Sequence, residues 1–151
     1  MHLDKDLQDL LSVFNEYEVR YLVVGGLAYS FHVEPRGTKD LDIWIESSPE
    51  NSQRVYRALA AYGAPVTSLA PEDFLDGKTF FQLGVAPNRV DVMQMIEGVS
   101  FSDAWPRRSH GATADGIPFP VISRKDLIVN KAAVGRLQDL ADLKKLRMLN
   151  E

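Results

Sequence analysis

Two stretches of the chain hold residues whose types and spacing could do chemistry. In "VVGGLAYSFHVEPRGTKDLDIWIE", residues 23–46, Gly25 and Gly26 end one apolar run, and Asp40 and Asp42 open another. Farther on, Asp91 interrupts the apolar run "RVDVMQMI". Side chains alternate along a strand, so Asp40, Asp42 and Trp44 share one face, and Leu41, Ile43 and Ile45 the other. Two carboxylates at i and i+2 lie roughly 7 Å apart at their Cα atoms, two rises of about 3.3 Å. Their charges repel, and burial raises the cost. No cationic neighbour is evident on their own face. A divalent cation would relieve the conflict, because magnesium, or manganese in its place, takes a few carboxylates and completes its shell with water and phosphate oxygens. Asp91 is the candidate third ligand, from a second strand. The plainer alternatives are an exposed edge strand for the pair and, for Asp91, a strand-end carboxylate held by a loop amide or by Arg89.

The glycines add a second element. Glycine lets the backbone approach a ligand closely, and the free amides at a helix start favour phosphate. Gly25 and Gly26 sit where a buried strand turns into a helix, which suits phosphate binding; a tight turn without a ligand is the other reading. No Gly-x-Gly-x-x-Gly occurs, and Gly77-Lys78-Thr79 has Glu72 where a P-loop needs its first glycine, so neither a Rossmann site nor a P-loop is supported.

The elements that must position these residues follow from pattern. Leu7, Leu10, Leu11 and Phe14 recur at helical spacing within 4–17. "RYLVVGG" reads as a buried strand, "LAYSFHVE" as a helix starting at the glycines, "EPRGTK" as a loop and "DLDIWIE" as a strand. Ser48-Pro49 opens a helix over 49–62 that Gly63 closes. "APEDFLDG" is a loop or short helix; "KTFFQLGVA" and "RVDVMQMI" form a hairpin around "PN". A second hairpin is expected over 109–121, about Asp115-Gly116. Ser123 and Asp126 suggest a capped helix to about Val134, Gly135 a bend, and Leu137–Leu149 a last helix. The expected fold is α/β, a mixed sheet of about four or five strands flanked by helices, with a helical C-terminus. The expected organisation is one domain, with 1–122 as the α/β core and 123–151 as a helical lobe.

Composition sets the outer bounds. The chain has 151 residues, 45% hydrophobic and 25% charged, which suits one domain with a core. It has no cysteine, which excludes disulfides, a thiol nucleophile and a cysteine zinc site, and fits a cytoplasmic setting. No apolar run of membrane-spanning length occurs, and the acidic start "MHLDKDLQDLLSVF" is not expected to act as a signal peptide. The net charge of −4 argues against bulk attraction to nucleic acid. The charge is uneven: residues 1–50 hold 4 basic and 10 acidic side chains, residues 101–151 hold 9 basic and 6 acidic. Such a split suits metal binding in one part and phosphate contact in another, or simply a solvated surface.

Taken together, "GG…DLD…RVDVM", with thirteen residues between Gly26 and Asp40, resembles the nucleotidyltransferase superfamily related to DNA polymerase β. The resemblance covers about residues 20–95. It implies a nucleotidyltransferase-like fold and transfer of a nucleoside monophosphate from a nucleoside triphosphate to an acceptor hydroxyl, releasing pyrophosphate. It implies Asp40, Asp42 and Asp91 as catalytic, metal-binding carboxylates, Gly25 and Gly26 as phosphate holders, and Arg36 and Lys39 of the intervening loop as further nucleotide-binding residues. The C-terminal "DLIVNKAAVGRLQDLADLKKL" is similar to the ending of small bacterial AbiE-type toxin nucleotidyltransferases, matching at Lys131, Arg136, Asp139 and Asp142. That likeness implies triphosphate or acceptor contact by Lys131 and Arg136, an antitoxin partner, and tRNA, protein or a small molecule as acceptor. Ion pairing along paired helices is the alternative for these four residues.

Two other functions fit parts of the pattern. One is a non-catalytic nucleotidyltransferase-like binding or interaction module, against which the intact acidic triad argues. The other is a sugar-nucleotide glycosyltransferase using Asp-x-Asp, against which the short chain and the preceding Gly-Gly argue. "DLDIWIE" fails as a calcium loop, since Trp44 and Ile45 stand where an oxygen ligand and a glycine are needed. His2, His32 and His110 show no metal spacing, and no Gly-x-Ser-x-Gly occurs. "WPRRSH" places Arg107 and Arg108 beside Trp105, a weak signal for a base or RNA.

Overall fold

The computed structural model describes residues 3–36, 40–84 and 88–149. The helix Lys5–Glu16 (α1) turns its Leu7, Leu10, Leu11 and Phe14 inward, as their spacing requires. Strand Tyr21–Val24 (β1) is buried throughout and runs directly into helix Gly25–His32 (α2). Strand Leu41–Ile45 (β2) follows, then helix Pro49–Tyr62 (α3). Ser48 caps α3 by accepting from the Asn51 amide, and Gly63 ends it at φ +99°, a conformation that favours glycine. After a short 3₁₀ turn at Pro71–Phe74 come strands Phe81–Leu83 (β3) and Val90–Met93 (β4). Helix Phe101–Ala104 (α4) continues as a 3₁₀ turn, Trp105–Arg107, into the hairpin Ser109–Ala112 (β5) and Pro118–Val121 (β6). Helices Arg124–Val134 (α5) and Leu137–Met148 (α6) complete the described chain, with Gly135 at φ +69° between them.

The six strands form one mixed sheet in the order β3-β4-β2-β1-β6-β5, one strand more than the upper expectation. Both expected hairpins are present, β3–β4 and β5–β6, at the two edges. The centre is mixed: β1 pairs antiparallel with β2 and parallel with β6, and β2 pairs parallel with β4. Strand alternation divides the sheet. Tyr21, Val23 and Ile43 face α1, whose Phe14 ring meets Tyr21 edge-on at 5.5 Å. Trp44 faces the other side, where Phe101 of α4 meets it edge-on at 5.1 Å.

One buried polar residue holds the lower rim of the sheet. Asn51, on the first turn of α3, accepts from the Arg20 amide at 2.7 Å and donates to the carbonyls of Arg20 at 2.9 Å and Glu46 at 2.8 Å. The Arg20 carbonyl also accepts from the Glu46 amide at 3.1 Å, so the groups that depend on Asn51 are the Arg20 amide and the Glu46 carbonyl. Replacing Asn51 with Leu strands them in a buried setting. Chemical denaturation should show a loss of roughly 2–4 kcal/mol, from two unsatisfied groups.

Candidate functional site

The upper end of the sheet gathers the acidic residues. In the parallel β2–β4 pair, Asp42 stands directly beside Asp91, and across β1 it pairs with Val24, the residue before Gly25. Asp40 lies just ahead of β2. Strand register therefore brings Asp42 and Asp91 together, although they are 49 positions apart in the chain, and the charge of Asp40 acts on Asp42 from just ahead of the strand. Asp91 is buried, Asp42 is largely so, and the Asp40 side chain is 37% exposed.

Their charges are not independent. Burial, then the charges of Asp91 and Asp40, push the Asp42 carboxyl up to about 6, against a smaller opposing effect of Arg89. Arg89 corrects the expectation that the acidic pair has no cation nearby. Its guanidinium lies 3.5 Å from Asp40 and 3.3 Å from Asp91, because it immediately precedes β4 and reaches across to the end of β2. Sequence reasoning had placed Arg89 beside Asp91 alone; only the parallel pairing brings it to Asp40.

Gly25 approaches the same carboxylates. Its φ is +67°, and a Cβ there would fall 2.1 Å from Asp42 Oδ2. The first turn of α2 thus lies against Asp42 with no room for a side chain, and helix-start amides there favour negative charge. Gly26 occupies the next position of the same turn.

The basic candidates Arg36, Lys131 and Arg136 are joined to one another through Asp139 and Asp142. Lys131 is buried and donates to Asp142 at 2.7 Å and Asp139 at 3.3 Å. Arg136 donates to Asp139 at 2.7 Å. Arg36 also pairs with Asp142, and its guanidinium lies 3.9 Å above the Tyr29 ring. The network ties α5 and α6 to the segment after α2. Its cations hold the Asp139 carboxyl below the usual carboxylate range, chiefly through the Arg136 hydrogen bond. Lys39 lies outside the described residues.

Sequence reasoning missed Gln94. Just past β4, it accepts from Ser47 at 2.6 Å and from the Gly77 amide at 2.8 Å, and donates to the Asp73 carbonyl at 2.7 Å. It fastens the 73–79 loop to the sheet. A polar residue inside "DVMQMI" was the available signal.

The geometry can be tested for a cation. Among the described residues no three histidine or carboxylate side chains are grouped so that they could hold a metal ion, and Arg89 pairs with both Asp40 and Asp91. The donor types are nonetheless suitable: three carboxylates, with the buried Asn88 Oδ1 lacking a hydrogen-bond partner, while Asp91 Oδ1 and Arg89 Nε face each other at 3.3 Å without forming a well-aligned hydrogen bond. Oxygen donors of this kind suit a hard divalent ion.

Comparison with known proteins gives a family and a fold. The family model described as "nucleotidyltransferase of unknown function (DUF6036)" matches residues 1–151, and the chain belongs to that family. No curated protein sequence matches it. Among solved structures, it is similar in fold to the lincosamide antibiotic adenylyltransferase LnuA in its lincomycin-bound form. That likeness has TM-score 0.59 and 16% identity, and covers 99% of this chain and 100% of the other. It is also similar to TM1012 of Thermotoga maritima, provisionally described as a nucleotidyltransferase, with TM-score 0.61 and 17% identity, over 95% and 94% of the two chains.

Two outcomes follow from the site's geometry. In Gly25→Ala, the left-handed φ costs about 1–2 kcal/mol, and the methyl group must displace the Asp42 carboxylate. Nucleotide titration of the folded variant should show binding weakened at least tenfold. The second concerns pH. An Asp that ionises near 3.8 when unfolded and about 6 when folded binds its proton more tightly in the native state. Its contribution to stability is full below pH 4 and is lost as pH rises through 6. In EDTA, Asp42→Asn should therefore be more stable than the parent at pH 8 by roughly 1–3 kcal/mol, at 1.36 kcal/mol per pKa unit. At pH 4 the gain should be nearly absent in thermal melts.

Proposed function

We propose that the chain transfers a nucleoside monophosphate from a nucleoside triphosphate to an acceptor hydroxyl at the Asp40–Asp42–Asp91 site, releasing pyrophosphate. The observation that carries this reading is the placement of Asp42 beside Asp91 and beneath Gly25. It gives one site the charge to hold a cation and the backbone space to admit a phosphate. Family membership supports the reaction class.

Asp40 and Asp42 would hold magnesium or manganese shared with the triphosphate, with Asp91 reaching a second ion. A bound divalent ion would neutralise phosphate charge and stabilise the entering and leaving oxygens. The remaining work belongs to the chain. The α2 amides after Val24 receive phosphate oxygens, and Gly25 keeps that space open. Asp91 accepts the acceptor hydroxyl's proton as the oxygen forms its bond to the α-phosphorus. The bond from that phosphorus to the bridging oxygen breaks, and its electron pair leaves with pyrophosphate. Arg89 must release Asp40 and Asp91 for this to occur, and its guanidinium is then free to meet a phosphate oxygen. Such catalysis consists mainly of positioning and charge neutralisation. The ion pairs of Arg36, Lys131 and Arg136 support a positioning role through α5 and α6 rather than direct triphosphate contact.

For the acceptor, the likeness to an enzyme that adenylylates a lincosamide antibiotic favours a small hydroxylated molecule over tRNA or protein. The AbiE-type likeness of the C-terminal helices, and with it a toxin role, rests on sequence alone.

The test uses each of the four labelled nucleoside triphosphates with magnesium, a lincosamide, and a cell extract as acceptor source. Label should pass to an acceptor only with divalent metal. Asp42→Asn should lose metal-dependent nucleotide binding. Asp91→Asn should keep much of that binding and slow single-turnover transfer about a thousandfold, equivalent to roughly 4 kcal/mol. Near-normal transfer by a folded Asp91→Asn protein would remove Asp91 from the reaction, and no metal-dependent transfer with any nucleotide would sink the proposal.

A further inference from the structure

A cavity of about 450 Å³ opens at the start of β1, away from the carboxylates. Tyr21, which lines it, pairs with Ile45, whereas Val24 at the other end of β1 pairs with Asp42. Three strand rises, about 10 Å, therefore lie between the two places.

Its charge runs against the rest of the chain. Arg20, Arg54, Arg108 and His110 line it against one carboxylate, Glu18, in a protein of net charge −4. Two further clefts among the described residues are balanced: Arg36 and Lys145 face Glu34 and Asp142 in one, and in the other, which shares Arg20 and Arg54 with this cavity, those two arginines meet Glu46 and Glu50. A guanidinium carries five donors. Among the described residues, Arg54 gives one bond to the Glu18 carbonyl at 3.3 Å and Arg108 one to the Trp105 carbonyl at 2.8 Å. Arg20 makes a long pair, 3.6 Å, with Glu46. Most of their donors remain available.

The wall also carries a stack of flat groups. Phe101 and Trp105 lie nearly parallel, at 5.6 Å and 19°. The Arg108 guanidinium covers Trp105 at 3.8 Å from the ring centre, and Arg20 comes within 5.5 Å. Arg108 is both a member of this stack and part of the cavity lining, so it offers a planar cation to a further ring. Bases stack on guanidinium planes as they do on aromatic side chains. The volume falls in the range of small-ligand pockets.

We propose that this cavity is a second binding site, which takes one nucleoside monophosphate unit, its base against Arg108 and its phosphate between Arg20 and Arg54. The unit is either a free nucleotide or the terminal nucleotide of an RNA. Binding here needs no metal and does not depend on transfer chemistry at Asp42.

The experiment follows Trp105 fluorescence in EDTA; Trp44, the other tryptophan, is buried and supplies a constant background. The protein is titrated with AMP, with inorganic phosphate, and with a 5′-phosphorylated RNA 12-mer. Binding of labelled AMP and labelled RNA is read in parallel by equilibrium dialysis. Saturable quenching by AMP or RNA is expected, weakened at least tenfold in Arg54→Gln and in Arg108→Gln, and kept in Asp42→Asn. Tighter binding of AMP than of RNA identifies a free nucleotide as the source, and the reverse identifies an RNA end. Absence of metal-free binding, equal binding by the folded arginine variants, or phosphate binding as tightly as AMP would overturn the proposal. A failure at Asp42→Asn transfer leaves this outcome untouched, so the two sites are judged separately.

Discussion

The parallel register of β2 and β4 is the constraint on which the site depends. It sets Asp42 beside Asp91 within a largely buried sheet, where two like charges cannot both be comfortable. The sheet accepts this conflict instead of relieving it with an apolar residue. The rest of the upper end responds to it. Arg89 leans across from the start of β4, the first turn of α2 presses close, and the Asp42 proton is held more tightly than usual. A site kept under electrostatic tension has a standing preference for cations, because each one admitted removes repulsion that folding has already imposed.

Order along the chain and order in space part company at the centre of the sheet. Local signals stated the elements well. Ser48 and Gly63 bracket α3, Ser123 caps α5, and turn residues mark both edge hairpins. These are short-range effects, decided by residues a few positions apart. The pairing of β1 with β2 and β6, and of β2 with β4, rests on contacts over long separations that no local pattern encodes. The sheet reaches six strands because the hairpin β5–β6 joins it at β1.

The acidic site was legible for a different reason. Asp40, Asp42 and Asp91 break an apolar pattern, and a broken pattern is visible without a fold. Arg89, Asn51 and Gln94 break no such rule strongly enough, yet each holds something in place. Their roles come from backbone groups and carboxylates supplied by distant segments. Gly25 lay between these cases: the turn was evident, but the contact that forbids a side chain comes from Asp42 on the neighbouring strand.

The buried ions between α5 and α6 act on alignment. Along α6, Leu143 and Leu146 face inward, while Leu137, Leu140 and Met148 are exposed. Apolar side chains thus occur on more than one side of this helix. Sliding α6 by a turn would exchange one leucine for another at modest cost in buried area. It would also separate Lys131 from Asp139 and Asp142, and leave an ammonium group in the interior without its counter-charges. An uncompensated buried charge costs several kcal/mol, far more than a leucine exchanged for a leucine. The ion pairs therefore act as a proofreading step in assembly, rejecting misaligned helix pairings that hydrophobic contact alone would tolerate.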